Sequence, residues 1–225
     1  MGLSLKRRDN ANINKIIYGG VLNILLEKNN IQESLRFLNK SIQDMLDGKF
    51  PLEEFVVTKT LRGHYKCPDR IVHKMLADRM ALRDKGSAPQ VNDRVPYAYI
   101  QIKEKKGVNI LQGNRIEDPK YIIENNLKID YEIYITNQIM NPILQLYSLV
   151  IEQLPNYKLP PNHFIKMKKR LIDNGYDEIK ADNKIQKEKE KEVKNLLFSS
   201  YLNKLSNKKN DLRDITDFMI IHGPS

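Results

Sequence analysis

The chain has 225 residues, a formal net charge of +10 and a single cysteine, and 40% of its residues are hydrophobic. These figures exclude an intramolecular disulfide and a four-cysteine zinc site, and no stretch approaches the roughly 20 apolar residues of a membrane span or the apolar segment of a signal peptide. The excess of positive charge favours a polyanionic partner, nucleic acid first, although a basic protein without such a partner remains the alternative.

Two consecutive segments near the N-terminus have apolar residues at helical spacing. Residues 11–27 predict the first helix, with Asp9 or Asn10 as its N-cap. Gly19-Gly20 interrupts this helix, which indicates close packing against another backbone. Residues 31–46 predict a second helix, so the two should form a helical hairpin.

Short strands are predicted in the part that follows. Residues 54–61 are rich in β-branched and apolar side chains, residues 69–83 return to helical spacing, and residues 94–102 alternate with a period of two. Pro96 predicts that the second strand lies at a sheet edge, or that the proline is among its first residues. The sequence therefore indicates a mainly helical α+β fold with short strands.

Two aspartates begin further helices. Asp118 is followed by Pro119, an arrangement typical of a helix start. Asp130 opens a longer helix, which Pro142 should kink or divide. These positions extend the helical character of the fold into the second half of the chain.

A cluster of prolines predicts a domain boundary. Pro155, Pro160 and Pro161 lie within a few residues of each other. Beyond them, residues 164–171 form a short amphipathic pattern, and residues 184–194 are rich in charge and typical of a solvent-exposed helix. We therefore expect a helical, basic C-terminal extension.

The sequence contains no self-contained active site. His64, Cys67 and His73 have the spacing H-x₂-C-x₅-H, but no fourth zinc ligand stands nearby, so we interpret them as unrelated polar residues. Asp130 and Glu132 are interpreted as a helix cap and a first-turn residue, because the D-x-D pattern that suits two-metal chemistry is absent. Glycine-rich phosphate loops and nucleophile elbows are also absent.

Basic residues interleaved with aromatic ones are the stronger signal. Residues 56–79 contain six basic and two acidic side chains, residues 6–8 form a second basic cluster, and Arg94 with Tyr97 forms a third. Cations in such runs neutralise phosphates without reading a base sequence. A solvated basic surface is the alternative that composition leaves open.

The same segments resemble the thumb of family B DNA polymerases, most closely those of the eukaryotic polymerase delta type and of large DNA viruses. The likeness covers roughly residues 2–150. It rests on four segments: GLSLKRRDN at 2–10, VVTKTL at 56–61, HKMLADRMALRDKGSAPQVNDRVPYAYI at 73–100 and EDPKYIIENNLKIDYEIYITNQIMNPILQLY at 117–147. The resemblance implies a palm–thumb junction at 1–10, a thumb-like DNA-binding domain at 11–155 and a helical C-terminal extension at 156–225.

The resemblance also implies which residues contact DNA. The segment from Arg7 to Asn10 matches the position where the palm passes into the thumb, beside the primer. Later matches lie in the thumb near the duplex, which this domain grips mostly across the minor groove. The expected DNA-binding residues are Arg7, Arg8, Lys59, Arg62, His64, Tyr65, Lys66, Arg94 and Tyr97.

Several parts of such a polymerase are missing from the sequence. The metal-binding aspartates of the palm, the finger helix and the exonuclease domain precede the RRDN match in the family. We therefore expect no polymerase activity from this chain alone, no cofactor bound by it, and Mg²⁺ in the missing palm. A split-gene subunit, an intein-separated remainder and a truncated fragment are the three interpretations, and absence of the cysteine-rich C-terminal module favours a viral version.

The expected partners are primer–template DNA and a polypeptide that carries the palm, with no membrane. The chain would then act in DNA replication inside the cell, in the nucleus or in a cytoplasmic viral replication compartment. The alternative function is a non-catalytic DNA-binding or assembly protein derived from a polymerase remnant.

The C-terminal tail suggests a further partner. Clamp-binding peptides follow the pattern Q-x-x-h-x-x-a-a, in which h is aliphatic and a is aromatic. Ile215 fits the aliphatic position, and Phe218 and Met219 fill the last two, while Leu212 replaces the glutamine. A tail docked on a sliding clamp would tether the polymerase. An amphipathic end that packs on its own protein is the alternative.

Overall fold

The computed structural model describes residues 4–7, 9–102 and 110–221, and within these it describes every side chain except those of Ser4, Ser87 and residues 206–221. The chain forms two compact units, Met1–Pro142 and Ile143–Ser225. The sequence-based division after residue 155 rests on the proline cluster together with the family resemblance, and stays a prediction. Among the described residues, the structure has no helix long and apolar enough to cross a membrane.

The first unit opens with the predicted helical hairpin of α1 (Asn12–Glu27) and α2 (Ile31–Leu46). The predicted cap of α1 by Asp9 or Asn10 is wrong. Ala11 occupies the N-cap position without a side-chain cap, and its backbone N–H donates to Oε1 of Gln138 at 3.0 Å. A glutamine far along the chain therefore binds the N–H of the N-cap residue itself, which the N3 side chain binds in a capping box.

Gly20 brings the two helices of the hairpin together. A Cβ at this position would lie 2.3 Å from the ring of Phe37 on α2. The prediction of close packing at the glycine pair is therefore confirmed, but the partner is an aromatic side chain rather than a backbone. Glycine is retained in the middle of α1 because the ring occupies the space of its missing side chain.

A three-stranded antiparallel sheet follows the hairpin. Its strands are β1 (Val57–Thr60), β2 (Arg94–Tyr99) and β3 (Ile116–Glu117), in the order β1-β2-β3. Val57 pairs with Tyr97 across the first two strands. The two predicted strands are thus present but shorter than the apolar patterns, and β3 was not predicted. The mainly helical α+β character with short strands is confirmed.

Pro96 lies in the central strand, so the prediction of an edge strand is wrong, while the alternative, a proline among the first residues of the strand, is confirmed. The N–H of Leu61 donates to the carbonyl of Asp93, and the alternation of an antiparallel pair then places Pro96 opposite Thr58 at a non-hydrogen-bonded position. On its other side β3 pairs only from Ala98 onward. The missing N–H of the proline therefore interrupts neither ladder.

The remaining helices of the first unit pack around this sheet. They are α3 (Val72–Arg83), α4 (Pro119–Glu124), α5 (Tyr131–Ile133) and the start of α6 (Met140–Tyr147). Asp118 and Asp130 cap α4 and α5 as predicted, accepting hydrogen bonds from backbone N–H groups. Short 3₁₀ segments connect the elements at Ser4–Lys6, Leu52–Phe55, Pro68–Arg70, Lys85–Ser87 and Gln112–Arg115.

A π-helical segment, Tyr134–Ile139, joins α5 to α6. The N–H of Met140 donates to the carbonyl of Ile135, five residues back. Pro142 follows at once and cannot donate to the carbonyl four residues before it, which its ring also crowds. The helix is therefore widened just before the proline rather than broken at it.

The core of the first unit is built around Tyr134. Its hydroxyl donates to the carbonyl of Phe55 at 2.6 Å and accepts from the N–H of Tyr99 at 2.9 Å. The rings of Phe55 and Tyr99 meet the Tyr134 ring edge-on, with centroids 5.1 and 5.5 Å away. One side chain thus joins the π-helical segment to the sheet.

The second unit contains the rest of α6, a 3₁₀ segment at Ser148–Gln153, α7 (His163–Asp173) and α8 (Glu178–Ile221). The amphipathic helix predicted at 164–171 is confirmed as α7. The charge-rich segment 184–194 is helical as predicted, but one stripe of it is buried rather than exposed. Among the α8 side chains that the structure describes, those up to residue 205, the buried apolar ones are Ala181, Ile185, Val193 and Phe198.

Candidate nucleic-acid interface

Lys59 on β1 is the first basic residue of the candidate interface. Its Nζ lies 2.5 Å from Oδ2 of Asp9. This hydrogen bond is the main reason why the pKa of Asp9 lies below its usual value, and the positive charge of Arg7 lowers it further. The Lys59–Asp9 pair therefore brings the chain leading into α1, with Arg7 two residues before Asp9, to β1.

Tyr65 holds the turn that follows β1. Its hydroxyl accepts a hydrogen bond from the backbone N–H of Arg62 at 2.7 Å. The same oxygen lies 3.5 Å from the carbonyl of Thr60 and 3.0 Å from Nε2 of His73. The turn is thus fixed to β1 at one end and to α3 at the other.

The pKa of His73 is influenced by two of these cations, Lys59 and Arg62. Burial lowers the pKa of its imidazole most, and the charges of Lys59 and Arg62 lower it further. Such an effect falls off steeply with distance in a partly solvated site. Lys59 and Arg62 therefore both lie near His73, although one is on a strand and the other on the turn.

We call Arg7, Lys59, Arg62, His64 and Lys66 the basic surface. Arg7, Arg62, His64 and Lys66 are exposed, and Lys59 is partly exposed. Tyr65 is half-buried beneath them. Six of the nine residues predicted to bind DNA thus lie in two short segments that the Lys59–Asp9 pair joins. Arg8 lies outside the described residues.

Arg94 is not brought to the basic surface. It pairs with Thr60, whereas Lys59 pairs with Val95, so the two cations point to opposite faces of the sheet. The guanidinium of Arg94 donates to Oγ1 of Thr58. It lines a cavity of about 630 Å³ whose other basic residues are Arg83 and Lys120.

Tyr97 is buried, with only 4% of its surface exposed. Burial is the main reason why the pKa of its phenol is raised, and the nearby Tyr99 and Asp9 add to this. Within this chain its ring therefore supports the basic surface from below and does not itself form part of that surface.

The sequence analysis missed a buried ion cluster around Glu117. Arg83 donates from both terminal nitrogens to the Glu117 carboxylate, at 3.1 and 2.7 Å, and its guanidinium lies 3.6 Å from the centroid of the Tyr121 ring. Arg79 donates to the carbonyls of Gly113 and Ile116. An acidic residue within an apolar strand, with two arginines four residues apart on α3, is the signal that indicates such a cluster.

Two cations of the 56–79 segment already have partners within the protein, Arg79 in the interior and Lys74 at the surface. Arg79 binds the two carbonyls and lies 3.7 Å from Glu117, and Lys74 pairs with Asp78. Fewer cations of this segment are therefore available to bind a phosphate backbone than its net charge suggests.

Among the described residues, no three His, Cys, Asp or Glu side chains are placed to hold a metal ion. His73 contacts Tyr65 instead, while His64 and Cys67 are exposed. Ile215, Phe218 and Met219 lie on the backbone of α8, and their side chains are outside the described part of the structure. Clamp binding stays a prediction.

Comparison with known proteins identifies relatives of most of the chain. The sequence model of DNA polymerase family B matches residues 1–150. A DNA polymerase of Pyramimonas orientalis virus is 48% identical over 98% of this chain, and one of Acanthamoeba polyphaga mimivirus is 46% identical over 68%. The DNA polymerase delta catalytic subunit of Schizosaccharomyces pombe is 33% identical over 72%.

The chain spans only a small part of these relatives, namely 18%, 9% and 14% of their respective lengths. The first match extends through nearly all of the C-terminal extension, beyond the residues that the family model covers. A solved structure of the family B DNA polymerase from Pyrobaculum calidifontis matches 60% of this chain and 17% of its own, with a TM-score of 0.46 and 17% identity. The relationship of this chain to these proteins rests on the sequence matches and not on the structural match.

Proposed function

The chain belongs to DNA polymerase family B, and we propose that it is the thumb part of a replicative polymerase, which grips primer–template duplex through the basic surface. In this proposal catalysis takes place in a palm carried by another polypeptide or segment, where carboxylates hold Mg²⁺. The site of action is the nucleus or a viral replication compartment.

The observation that carries this proposal is the grouping of Arg7, Lys59 and Arg62. They come from the chain before α1, from β1 and from the turn after it. Lys59 acts on both Asp9 and His73, while Arg7 acts on Asp9 and Arg62 acts on His73. Cations that converge from separate segments can contact successive phosphates. Contacts of this kind hold a duplex without reading its sequence, as a replicative polymerase requires.

The Lys59–Asp9 ion pair is compatible with phosphate binding. The side chains of Lys59 and Asp9 keep 36% and 50% of their surface exposed. An exposed pair of this kind contributes at most about 1 kcal/mol. A phosphate can therefore replace Asp9 as the partner of Lys59 at small cost.

Fluorescence anisotropy of a labelled primer–template duplex, over a series of salt concentrations, tests the proposal. Several phosphate contacts should give a log–log slope of about −4 or steeper. The triple variant Arg7→Ala/Lys59→Ala/Arg62→Ala should make the slope about 3 units shallower. Arg36→Ala/Lys40→Ala/Lys128→Ala is the matched control, because it removes three exposed cations of the same unit.

If the two triple variants lost equal affinity for the duplex, binding would reflect nonspecific attraction by net charge, which would contradict a role for the basic surface. Equal affinity for duplex and single strand would also contradict a duplex grip. Restored primer extension on mixing with a palm-containing polypeptide would distinguish a polymerase part from a non-catalytic DNA-binding protein.

A second part of the proposal concerns the tail. Ile215, Phe218 and Met219 would dock in a groove of a sliding clamp, and the tether would raise processivity. Phe218→Ala should abolish binding of the clamp to the full chain in surface plasmon resonance. Unchanged affinity would contradict this part and leave the DNA-binding proposal intact.

A further inference from the structure

His73 lies under the basic surface, in the first turn of α3. Its ring meets the Tyr65 ring edge-on, with centroids 5.8 Å apart, and its Nε2 lies 3.0 Å from the Tyr65 hydroxyl oxygen. The proposed DNA contacts use neither imidazole nitrogen. A half-buried imidazole next to a set of cations is nevertheless the group most able to change its charge near neutral pH.

The Tyr65 hydroxyl can satisfy both protonation states of His73. It has one hydrogen to donate and two lone pairs to accept with. One lone pair accepts from the N–H of Arg62 in either state. With neutral His73 the hydroxyl hydrogen goes to Nε2. With the imidazolium, Nε2–H donates to the second lone pair, and the hydroxyl hydrogen turns to the carbonyl of Thr60.

Protonation of His73 therefore costs the turn no hydrogen bond. The backbone N–H of Arg62 keeps its acceptor, and Tyr65 stays joined to α3. A proton that enters here changes the local charge by one unit without displacing the residues that would contact phosphate.

The charges around His73 oppose this proton in the protein without DNA. Burial lowers the pKa of His73 first, and Lys59 on β1 and Arg62 on the turn add to this, while the hydrogen bond with the Thr60 backbone acts in the opposite direction. On α3 itself Lys74 is paired with Asp78, and Glu117 on β3 is held by Arg83. The remaining charged residues on the 3₁₀ segments next to α3 are Asp69, Arg70, Lys85 and Arg115.

We propose that His73 is a positioning residue that takes up a proton when a DNA phosphate binds at Lys59 and Arg62. The inference rests on the proposed function. A phosphate neutralises the two cations that disfavour the imidazolium and adds negative charge of its own. The proton comes from solvent, enters at Nε2 and stays there while the phosphate is bound. Duplex binding is then linked to protonation of this one side chain.

The sign of the effect follows from the linkage. His73 is neutral in the free protein at neutral pH, because its pKa lies below the ordinary 6.5. Bound phosphate raises that pKa, so the complex holds more protons than its separate components. Duplex affinity must therefore rise as the pH falls through the pKa of the complex, and it levels off below the pKa of the free protein.

Isothermal titration calorimetry of the full chain with primer–template duplex tests this coupling. Titrations at about pH 6.5 in buffers of different ionisation enthalpy should show uptake of a fraction of one proton per complex. Affinity should be about twofold to tenfold higher at about pH 5.5 than at about pH 8. His73→Gln should take up fewer protons than the wild-type chain and show a flatter profile over this range, while His64 remains as a second imidazole on the basic surface.

His64→Gln is the matched control, since His64 is exposed on the same turn. Whatever its affinity, this variant should still take up the proton. Proton uptake that is undiminished in His73→Gln, or is lost in His64→Gln alone, would overturn the inference while duplex binding leaves the proposed function standing.

If His73→Gln does not fold, NMR of the wild-type chain decides. The His73 ring resonances should titrate at higher pH with duplex bound than without it, and an unchanged titration would overturn the inference. Absence of duplex binding at every pH would overturn both this inference and the proposed function.

Discussion

Lys59 and Asp9 form an ion pair across 49 intervening residues, with Nζ 2.5 Å from Oδ2. The pair brings the chain before α1 to the edge of the sheet. It also places a carboxylate among the cations of the basic surface, where a phosphate would have to compete with it. We therefore expect Asp9 to limit the affinity of the basic surface for DNA.

Asp9→Asn should bind primer–template duplex about three- to tenfold more tightly at low salt, because one repulsive charge is removed and Lys59 is released. The gain should shrink as salt rises. Fluorescence anisotropy measures it, with Asp47→Asn as the control, since Asp47 is an exposed carboxylate that pairs with Lys49 on the α2 side of the unit. Weaker binding by Asp9→Asn would show that the pair mainly organises the surface.

Glu117→Ala should lower the free energy of unfolding by about 2–4 kcal/mol, because it leaves Arg79 and Arg83 without their buried carboxylate. Urea unfolding followed by circular dichroism measures the change. Glu124→Ala, an exposed carboxylate on α4, should change stability by less than about 0.5 kcal/mol. If the double variant Arg83→Ala/Glu117→Ala lost the sum of the unfolding free energies that the two single variants lose, the interaction between these residues would not be the cause of the destabilisation.

Gly20→Ala should destabilise the protein by about 1–3 kcal/mol, because the new methyl group would overlap the Phe37 ring. Gly19→Ala is the neighbouring control: its Cβ would meet only the end of the Leu5 side chain, at 3.3 Å. Alanine also favours a helix over glycine by about 1 kcal/mol. Thermal unfolding should therefore separate the two variants, and equal melting temperatures would contradict the packing seen at Gly20.

The buried tyrosines should make the first unit sensitive to alkali. Burial is the main cause of the raised pKa values of Tyr97, Tyr99 and Tyr134. Above about pH 10 the unfolded chain loses these protons while the native state keeps them, so stability falls as the pH rises. Each such tyrosine contributes a slope of at most about 1.4 kcal/mol per pH unit.

Tyr134→Phe should reduce that slope in urea unfolding between about pH 9 and pH 11. Its stability at neutral pH should also fall, because Phe55 and Tyr99 lose a hydrogen-bond partner each. The variants are therefore compared by how steeply their stability falls with pH, and not by their stability at one pH. Tyr176→Phe, at an exposed position, should leave the slope unchanged, and an equal reduction in both variants would contradict burial as the cause.

Local sequence signals predicted those parts of the fold that neighbouring residues determine. Asp118 and Asp130 cap their helices because a short carboxylate reaches N–H groups two or three residues ahead. Features that depend on distant residues were missed or assigned wrongly. The N-cap of α1 is Ala11, whose N–H is bound by the distant Gln138, and the two residues of β3 are too few to show a period.

In the candidate site, too, features set by neighbouring residues were predicted, and contacts between distant residues were not. The family resemblance picked out Lys59, Arg62 and Tyr65, which lie close together in the sequence. Spacing alone could not indicate that Tyr65 would meet His73, or that Arg79 would be used inside the protein. Charge along a chain counts cations, whereas only the tertiary structure determines which of them face solvent.

The π-helical segment Tyr134–Ile139 has a consequence for comparing this chain with its relatives. A π-turn holds one residue more than the α-helical turn it replaces, so the segment is equivalent to a single-residue insertion. Deleting one residue there would restore an ordinary α-helix and leave the residues after it on the helix faces that they now occupy. A relative with a regular helix at this place must therefore be aligned with a one-residue gap between positions 134 and 139.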